Sequence, residues 1–467
     1  MVKVVDYSWV LPENINDRLD SLPYKQIYVD NLNRLKKHKT QKLFKICNSV
    51  KCGPFGSTVL AETYSNEGVL YIRPVNISNN FFDDGDLVFL DRLDVRGKNL
   101  DIFTNNDLFF GRVGNPCVSK VSKEYSEITV SPNIIGVKVG DKIDSDYLWI
   151  FLSSKYGIFQ IERMLKTVAQ PTTSTETIKE LDVLVPSPEI QKYIGDKVRK
   201  AEELREEAKR LKKEAEEILN AELKLSYFNE RVKDAPKMYN WIYGESIEVR
   251  IDSQYYINET NFINNEMYKK GLKLKRISEI ANVGKGFSYT SLDNKSIPYI
   301  RISDLDDLLI NFDTVELVDE KTYLEKKSSQ LEQCDLIFAI TGATIGKVSL
   351  FYTSKHSKAT LSSDTAFVRL QDKNDAAYVL LYLKSFIGQL GILKGVTGAT
   401  NRHLSLEHIG DIFIPVIDNK LKREINMRVI KAIDNVYLSK QLIQEAKQDV
   451  EDLIEGNFDT SKVRANS

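Results

Sequence analysis

Segments of this chain recur once, in the same order and about 230 residues further on, and this restricts it to two versions of one fold. Tyr71-Ile72-Arg73 returns as Tyr299-Ile300-Arg301, each in an apolar, strand-like run, and Gly114 returns as Gly342; both pairs lie 228 residues apart. Asp107-Leu108 ahead of Phe109 and Phe110 returns at the same offset as Asp335-Leu336 ahead of Ile337 and Phe338. The stretch Asp182 to Pro186 matches Asp411 to Pro415 at 229, and Ile194, Val198 and Ala201 match Ile425, Val429 and Ala432 at 231. Upstream, Arg18-Leu19-Asp20-Ser21 matches Arg250-Ile251-Asp252-Ser253 at 232. Offsets drifting only between 228 and 232 are what small loop insertions within a shared fold produce. A solenoid is excluded, because its period is far shorter.

Each copy has short β-branched and aromatic runs, then a brief strand ending at Pro186 or Pro415, then a long segment rich in Ala, Glu, Lys and Leu without interior proline. In the first long segment Ala201, Leu204, Ala208, Leu211, Ala215 and Ile218 step by three and four. In the second, Ile425, Val429, Ala432, Val436, Ile443, Ala446 and Val450 do the same, interrupted only by Ser439. A strict heptad drifts off a flat surface over several turns, so the two helices are expected to pair with each other. The small alanines allow close approach. The predicted fold is α+β: two tandem-duplicated globular α/β domains separated by a long antiparallel two-helix coiled coil, pseudo-twofold symmetric. The expected boundaries are residues 1–187 and 226–416 for the globular domains, 188–225 and 417–456 for the helices, and an unstructured tail at 457–467. A 38-residue helix would be about 57 Å long.

Composition narrows the function. Lys plus Arg (65) balances Asp plus Glu (66), so any surface for a polyanion must be local. The cysteines, Cys47, Cys52, Cys117 and Cys334, are too scattered for a disulfide framework, which suits a reducing compartment such as the cytoplasm. The histidines, His38, His356, His403 and His408, do not cluster with them into a zinc pattern. No long uncharged apolar run suggests a membrane role. Two related globular domains on a rigid spacer suit a ligand with two sites at a fixed separation. Double-stranded DNA is such a ligand, with a helical turn of about 34 Å. The two domains differ in their turns, with Lys51-Cys52-Gly53-Pro54-Phe55 in one and Gly284-Lys285-Gly286-Phe287 in the other, so the expected target is split and asymmetric.

The chain resembles, over nearly its whole length, the specificity (S) subunit of type I restriction-modification systems. The resemblance is carried by the Arg-hydrophobic-Asp openings at Arg18 and Arg250, the Gly-rich turns at Gly53 and Gly284, and the strands at Tyr71 and Tyr299. It continues in the stretches Thr167 to Thr177 and Thr397 to Arg402 and the strand-Pro-helix exits at Pro186 and Pro415. It departs from the family at one exit: Pro186, Pro188 and Gln191 stand in the first copy, whereas Asp418 to Arg423 contains no Gln. The resemblance implies that the globular domains are target recognition domains reading a bipartite DNA site. It also implies that the helices are spacers that bind two methyltransferase (M) subunits, with restriction (R) subunits joining the full complex. It implies a non-catalytic chain that binds no cofactor itself, with S-adenosylmethionine, ATP and Mg in the partner subunits and adenine as the methylated base.

Two other readings compete. Thr341 to Lys347 looks like a phosphate-binding loop and would make the chain a phosphate- or nucleotide-binding enzyme. That loop type needs four residues between its glycines and a Ser or Thr after the Lys, whereas three separate Gly342 from Gly346 and Val348 follows Lys347. The partial Gly-rich fingerprint of Gly284 and Gly286 is broken at Tyr289. The second competitor is a coiled-coil scaffold with no DNA preference. For DNA, Asn31 to Leu60 carries Arg34, Lys36, Lys37, Lys39, Lys42, Lys45 and Lys51 and no acid, a pattern suited to phosphates. Arg73 and Arg301 occupy equivalent strand ends, where they suit either guanine or an internal ion pair. Readout should fall on loop residues that differ between copies: Ser57, Arg112, Lys120, Gln170, Thr172, Thr173 and Thr175 in the first, and Lys285, Tyr289, Thr290, Thr344, Lys347, Thr397, Asn401, Arg402 and His403 in the second.

Overall fold

Runs of alternating β-branched and aromatic residues in the first copy fold as strands because each can be covered on at least one face. The computed structural model describes residues 15, 20–78, 81–165, 171–235, 259–289, 295–398 and 402–465. The chain divides into two units, residues 1–204 with 438–467, and residues 205–437. Its principal helices are α1 (Gln26–Leu35), α2 (Ser145–Ser153), α3 (Lys155–Met164), α4 (Pro188–Leu223), α5 (Glu259–Lys269), α6 (Ala376–Lys384), α7 (Phe386–Lys394) and α8 (Asn419–Glu455).

The first unit uses β1 (Thr40–Lys42), β2 (Cys47–Cys52), β3 (Val69–Ile72), β4 (Leu108–Gly111), β5 (Val118–Lys120), β6 (Ile128–Val130), β7 (Ile134–Val139) and β8 (Asp182–Leu184). Its main sheet is antiparallel with order β2-β7-β4-β5, while β3 runs parallel to β6 in a second sheet, with Tyr71 opposite Thr129. Strands β1 and β8 pair antiparallel just before α4. Helix α2 is apolar nearly all round and is correspondingly buried from Asp146 to Ser153. Asp144 starts it by accepting from the backbone N–H groups of Asp146 and Tyr147.

The second unit repeats the plan with β9 (Leu274–Arg276), β10 (Ala281–Lys285), β11 (Lys295–Ile300), β12 (Asp335–Ala339), β13 (Val348–Phe351), β14 (Thr360–Leu361), β15 (Thr365–Leu370) and β16 (Phe413–Pro415). The order β10-β15-β12-β13, the parallel pair β11 and β14, and the antiparallel pair β9 and β16 each have their counterpart in the first unit. The duplication seen in the sequence is therefore a duplication of topology.

The long helices end close to where composition places them. Helix α4 stops at Leu223, and Lys224 takes a left-handed φ of 53°, which breaks the hydrogen-bond ladder. Helix α8 covers 37 residues. The first unit takes α4 up to Leu204 and α8 from Leu438; the second takes the remainder of both. Within the first unit Lys197 on α4 meets Asp449 at 2.5 Å and Glu445 at 3.7 Å on α8; within the second, Glu214 meets Arg428 at 3.2 Å. Within the first unit Tyr193 on α4 faces Phe458, just past α8, and the later Lys197 faces the earlier Asp449, so the two helices run antiparallel there. Ala201, Leu204, Ile443, Ala446 and Val450 are buried in the first unit, and Ala208, Ala215, Ile425, Val429 and Ala432 in the second. Leu211, Ile218 and Val436 are partly buried. The stripe is wider than a two-helix seam: Leu219, Ile433 and Ile454 are buried as well, and Val198 and Ala201 share one core with Trp149 and Tyr156. Each helix half thus packs on its partner and on its own globular part together. This joins the two arrangements that the heptad pattern sets against each other.

The tail is a correction. Residues Ser461–Ala465 form a short helix, Phe458 packs edge-on against Tyr193 at 6.1 Å, and Lys462 lies 3.4 Å from Asp449. An aromatic contact and an ion pair order a segment whose polar composition suggests none.

Candidate nucleic-acid interface

In the first unit three loops converge at one end of the main sheet. Chain leaving β2 turns at Gly53, where a Cβ would lie 2.1 Å from the Ser131 carbonyl oxygen, so only glycine fits. The β4–β5 hairpin bends at Gly114, whose φ is +92°. It is tied to the third loop by Thr173 N–H donating to Arg112 O (2.8 Å) and Gly114 N–H to Pro171 O (3.1 Å). The resulting cleft is lined by Gly53, Phe55, Arg112, Pro132, Thr175 and Glu176, among others. The Arg112 guanidinium is exposed and donates to Pro132 O at 3.2 Å. Ser57 is exposed, Thr175 is half-buried in the lining of the cleft, and Thr172 is half-buried and bridged to Val113. Phe55, with 89% of its surface exposed, is the feature that the choice of polar residues missed. The signal was a ring placed straight after a Gly-Pro turn.

The second unit builds the same platform. Gly286 would place a Cβ 2.1 Å from Ser362 O, and Gly342 turns with φ +76°. Gly342 N–H donates to Arg402 O at 3.3 Å, and Leu404 N–H to Ile340 O at 2.9 Å. Lys285, Thr344, Lys347, Thr397 and Arg402 are exposed. His403 is held in a short strand opposite Thr397 and bridged to Thr341. Tyr289 is engaged internally: its hydroxyl donates to Asp319 at 3.3 Å and its ring packs on Tyr299 at 5.7 Å. The Gly342–Lys347 loop joins antiparallel strands, with Phe338 opposite Val348. A phosphate loop delivers its ligand to a helix N-terminus, and here the next element is β13, so the nucleotide-binding alternative fails on geometry.

Several expected contacts prove to be internal. Lys120 is 2% exposed, ion-paired with Asp146 and 3.7 Å from Glu202, so it is buried away from any DNA, contrary to the expectation. Thr173 is 4% exposed, its N–H bound to Arg112 O, so it too is buried where a contact was expected. Arg73 reaches Asp86 at 2.9 Å, and Arg301 reaches Glu316 at 2.5 Å and Asp304 at 3.5 Å, so the equivalent arginines tie equivalent turns. In the basic segment Arg34 binds Tyr156 and Glu455, Lys42 binds Asp182, and Lys51 binds Asp101 at 2.8 Å. Lys36, Lys37, Lys39 and Lys45 remain exposed. All four precede β2 in the chain, and Lys45 adjoins the end of that strand away from the Gly53 turn, about 20 Å along a strand of that length. Gln170, Thr290 and Asn401 lie outside the described residues, as do Arg18 and Arg250.

Between β5, the start of α2 and α4 in the first unit lies a largely buried charge cluster. Asp146 binds Lys120 and Arg199 (2.6 Å), Arg199 also binds Asp144 (3.0 Å), and Glu202 lies 3.6 Å from Lys123. Burial pushes the Glu202 carboxyl above its ordinary range, opposed by the charge of Lys120. A raised carboxyl binds its proton in the folded chain while the unfolded chain has already lost it. Its contribution to stability therefore falls as pH rises through the raised value. Glu202→Gln is expected to gain on the parent near neutral pH and to lose that advantage as the solution is acidified toward the ordinary carboxylate range. Urea midpoints of the two chains across pH measure it; a constant difference would contradict the assignment.

Where the two strand-to-helix exits differ, the structure supplies a substitute. Gln191 accepts from Asp144 N–H (3.0 Å) and donates to Pro186 O (2.9 Å); at the matching position Lys422 binds Asp375 at 2.9 Å. Among the described residues no group of His, Cys, Asp and Glu is placed to hold a metal ion, and no single helix is long and apolar enough to cross a membrane.

No family model matches the chain. It is 22% identical over 454 residues, 89% of its own length and 95% of the relative's, to the Type I restriction enzyme MjaIX specificity subunit of Methanocaldococcus jannaschii. Among solved structures it is similar to the type I restriction-modification system S subunit from M. genitalium, at 12% identity and a TM-score of 0.43, covering 90% of this chain and 96% of that one. It is also similar to the HsdS subunit from Thermoanaerobacter tengcongensis, at 14% identity and a TM-score of 0.29, covering 90% and 96%.

Proposed function

We propose that this chain, similar along nearly its whole length to a type I restriction enzyme specificity subunit, is the DNA-reading subunit of a type I restriction-modification complex. The observation that carries the reading is the pair of platforms. Two loop clusters share one backbone plan yet present different side chains: Phe55, Arg112 and Thr175 in one, Lys285, Lys347 and Arg402 in the other. Equal scaffolds with unequal side chains suit two different half-sites, joined into one asymmetric bipartite target. The paired helices would set the gap and carry two methyltransferase subunits, with restriction subunits joining them. The chain itself would catalyse nothing; S-adenosylmethionine, ATP and Mg belong in this reading to the partners, and the setting is the cytoplasm.

Co-expression with the methyltransferase subunits of its own host, followed by sequencing of methylated DNA, should give one motif of two dissimilar half-sites at a fixed gap. Methylation without a motif would favour the scaffold reading. Within the same complex, Arg112→Ala or Phe55→Ala is expected to weaken discrimination at one half-site only, by about 1–3 kcal/mol, measured by competition between matched and single-mismatch duplexes. Neutralising Lys36, Lys37, Lys39 and Lys45 with glutamine should leave both half-sites unchanged. It should flatten the dependence of log affinity on log salt by about 0.9 for each phosphate that is no longer neutralised.

A further inference from the structure

The turn that leads into the inner strand of each main sheet carries a residue that differs between the platforms. In the first unit it is Ser131-Pro132-Asn133, between β6 and β7; in the second it is Ser362-Ser363-Asp364, between β14 and β15. Three backbone hydrogen bonds are duplicated. Ser131 N–H donates to Ile72 O and Ser362 N–H to Ile300 O, both at 2.9 Å. Ile134 N–H donates to Ser131 O and Thr365 N–H to Ser362 O, both at 3.0 Å. Arg112 N–H donates to Asn133 O at 2.9 Å and Ile340 N–H to Asp364 O at 3.0 Å. Asn133 and Asp364 are therefore the same position in two copies of one platform, and both are exposed.

Their surroundings are those of the proposed reading faces. Asn133 adjoins Pro132, which lines the cleft and accepts the Arg112 guanidinium. Its side chain makes no hydrogen bond among the described residues. Asp364 accepts the Thr341 hydroxyl through Oδ1 at 3.0 Å while the residue stays exposed. A fixed negative charge on a face that approaches phosphates weakens binding unless it meets a donor. In the major groove the cytosine N4 amino group is a donor that a carboxylate can accept from, whereas an amide matches adenine by donating to N7 and accepting from N6.

We infer that Asn133 and Asp364 are paired specificity determinants, Asn133 selecting an adenine in one half-site and Asp364 a cytosine at the corresponding place in the other. The inference rests on the DNA-reading function proposed above and adds the base class to it. A purely structural Asp364 would serve only to anchor Thr341, and asparagine, which still accepts that hydroxyl, would serve as well. The two roles are separated by Asp364→Asn and Asn133→Asp. Each is assembled with the host methyltransferase subunits and used to select from a pool of random DNA duplexes alongside the parent complex. With Asp364→Asn, one base pair of one half-site should change from C·G to A·T, by about tenfold in preference. With Asn133→Asp, one base pair of the other half-site should change the opposite way. If both variants recover the parent motif, the inference is overturned while the DNA-reading function stands. If the parent complex itself selects no motif, it is that function which fails.

Discussion

Lys120→Leu is expected to destabilise the chain by about 3–5 kcal/mol, among the largest effects of any single substitution in the first unit. The lysine is sealed from water and faces Asp146 and Glu202, both buried themselves. Removing the cation leaves two carboxylates in a poorly hydrated site with only Arg199 and Lys123 to answer them. The second unit shows what the fold does without charge at this place. The positions matching Lys120, Asp146 and Glu202 are Leu350, Ala377 and Ile433, all buried in one apolar core. Replacing the three together, Lys120→Leu with Asp146→Ala and Glu202→Ile, is therefore expected to restore or exceed the parent stability, because the desolvation penalty disappears with the attraction. Urea unfolding of the single, triple and parent chains decides it. A triple variant as weak as the single one would mean that the two units do not share a core plan here. The cluster joins β5 and the start of α2 to α4, and β5 continues from the hairpin that carries Arg112. The charged copy thus holds its platform on the helix by a network with strict geometry, the apolar copy by packing.

What was legible in the sequence and what was not divides along the range of the forces concerned. Tyr71 and Tyr299 announce their strands because alternation and β-branching act between neighbours, and matching offsets carry that pattern into the second copy. Ala201 to Ile218 announces a helix pair because a heptad is a local period. Lys120 looks like any surface lysine; its burial is set by Asp146 and Glu202, 26 and 82 positions away in the sequence. Thr173 is hidden by the hairpin whose Arg112 carbonyl its N–H binds, a contact between segments some 60 residues apart. The likeness of Thr341 to Lys347 to a phosphate loop is dispelled only by the pairing of Phe338 with Val348, which makes the next element a strand. Asn133 and Asp364 gave no signal as a short polar turn. Their equivalence appears only once the backbone bonds to Arg112 and Ile340 are seen.

On the DNA-reading function proposed above, shortening the long helices is expected to change the gap in the target and not its half-sites. Deleting Ala208 to Glu214 from α4 removes one heptad, after which Ala201 and Leu204 take the places of Ala208 and Leu211, like for like. Because α8 runs antiparallel to α4 in the first unit, the seam stays matched only if α8 loses a heptad as well. Ser439 to Glu445 is the suitable one, since Ala446 then fills the place of Ser439, the buried polar residue of the stripe. Seven residues of helix span about 10 Å, which on DNA is about three base pairs. The double deletion should therefore give a motif with the parent half-sites and a gap shorter by about three pairs. Three pairs also turn the second half-site by about 100° around the DNA axis, so affinity should fall even at the preferred gap. Methylation mapping of the double-deletion complex reads both quantities. A motif whose half-sites change while its gap stays fixed would remove the paired helices from any part in measuring DNA and leave them a purely structural element.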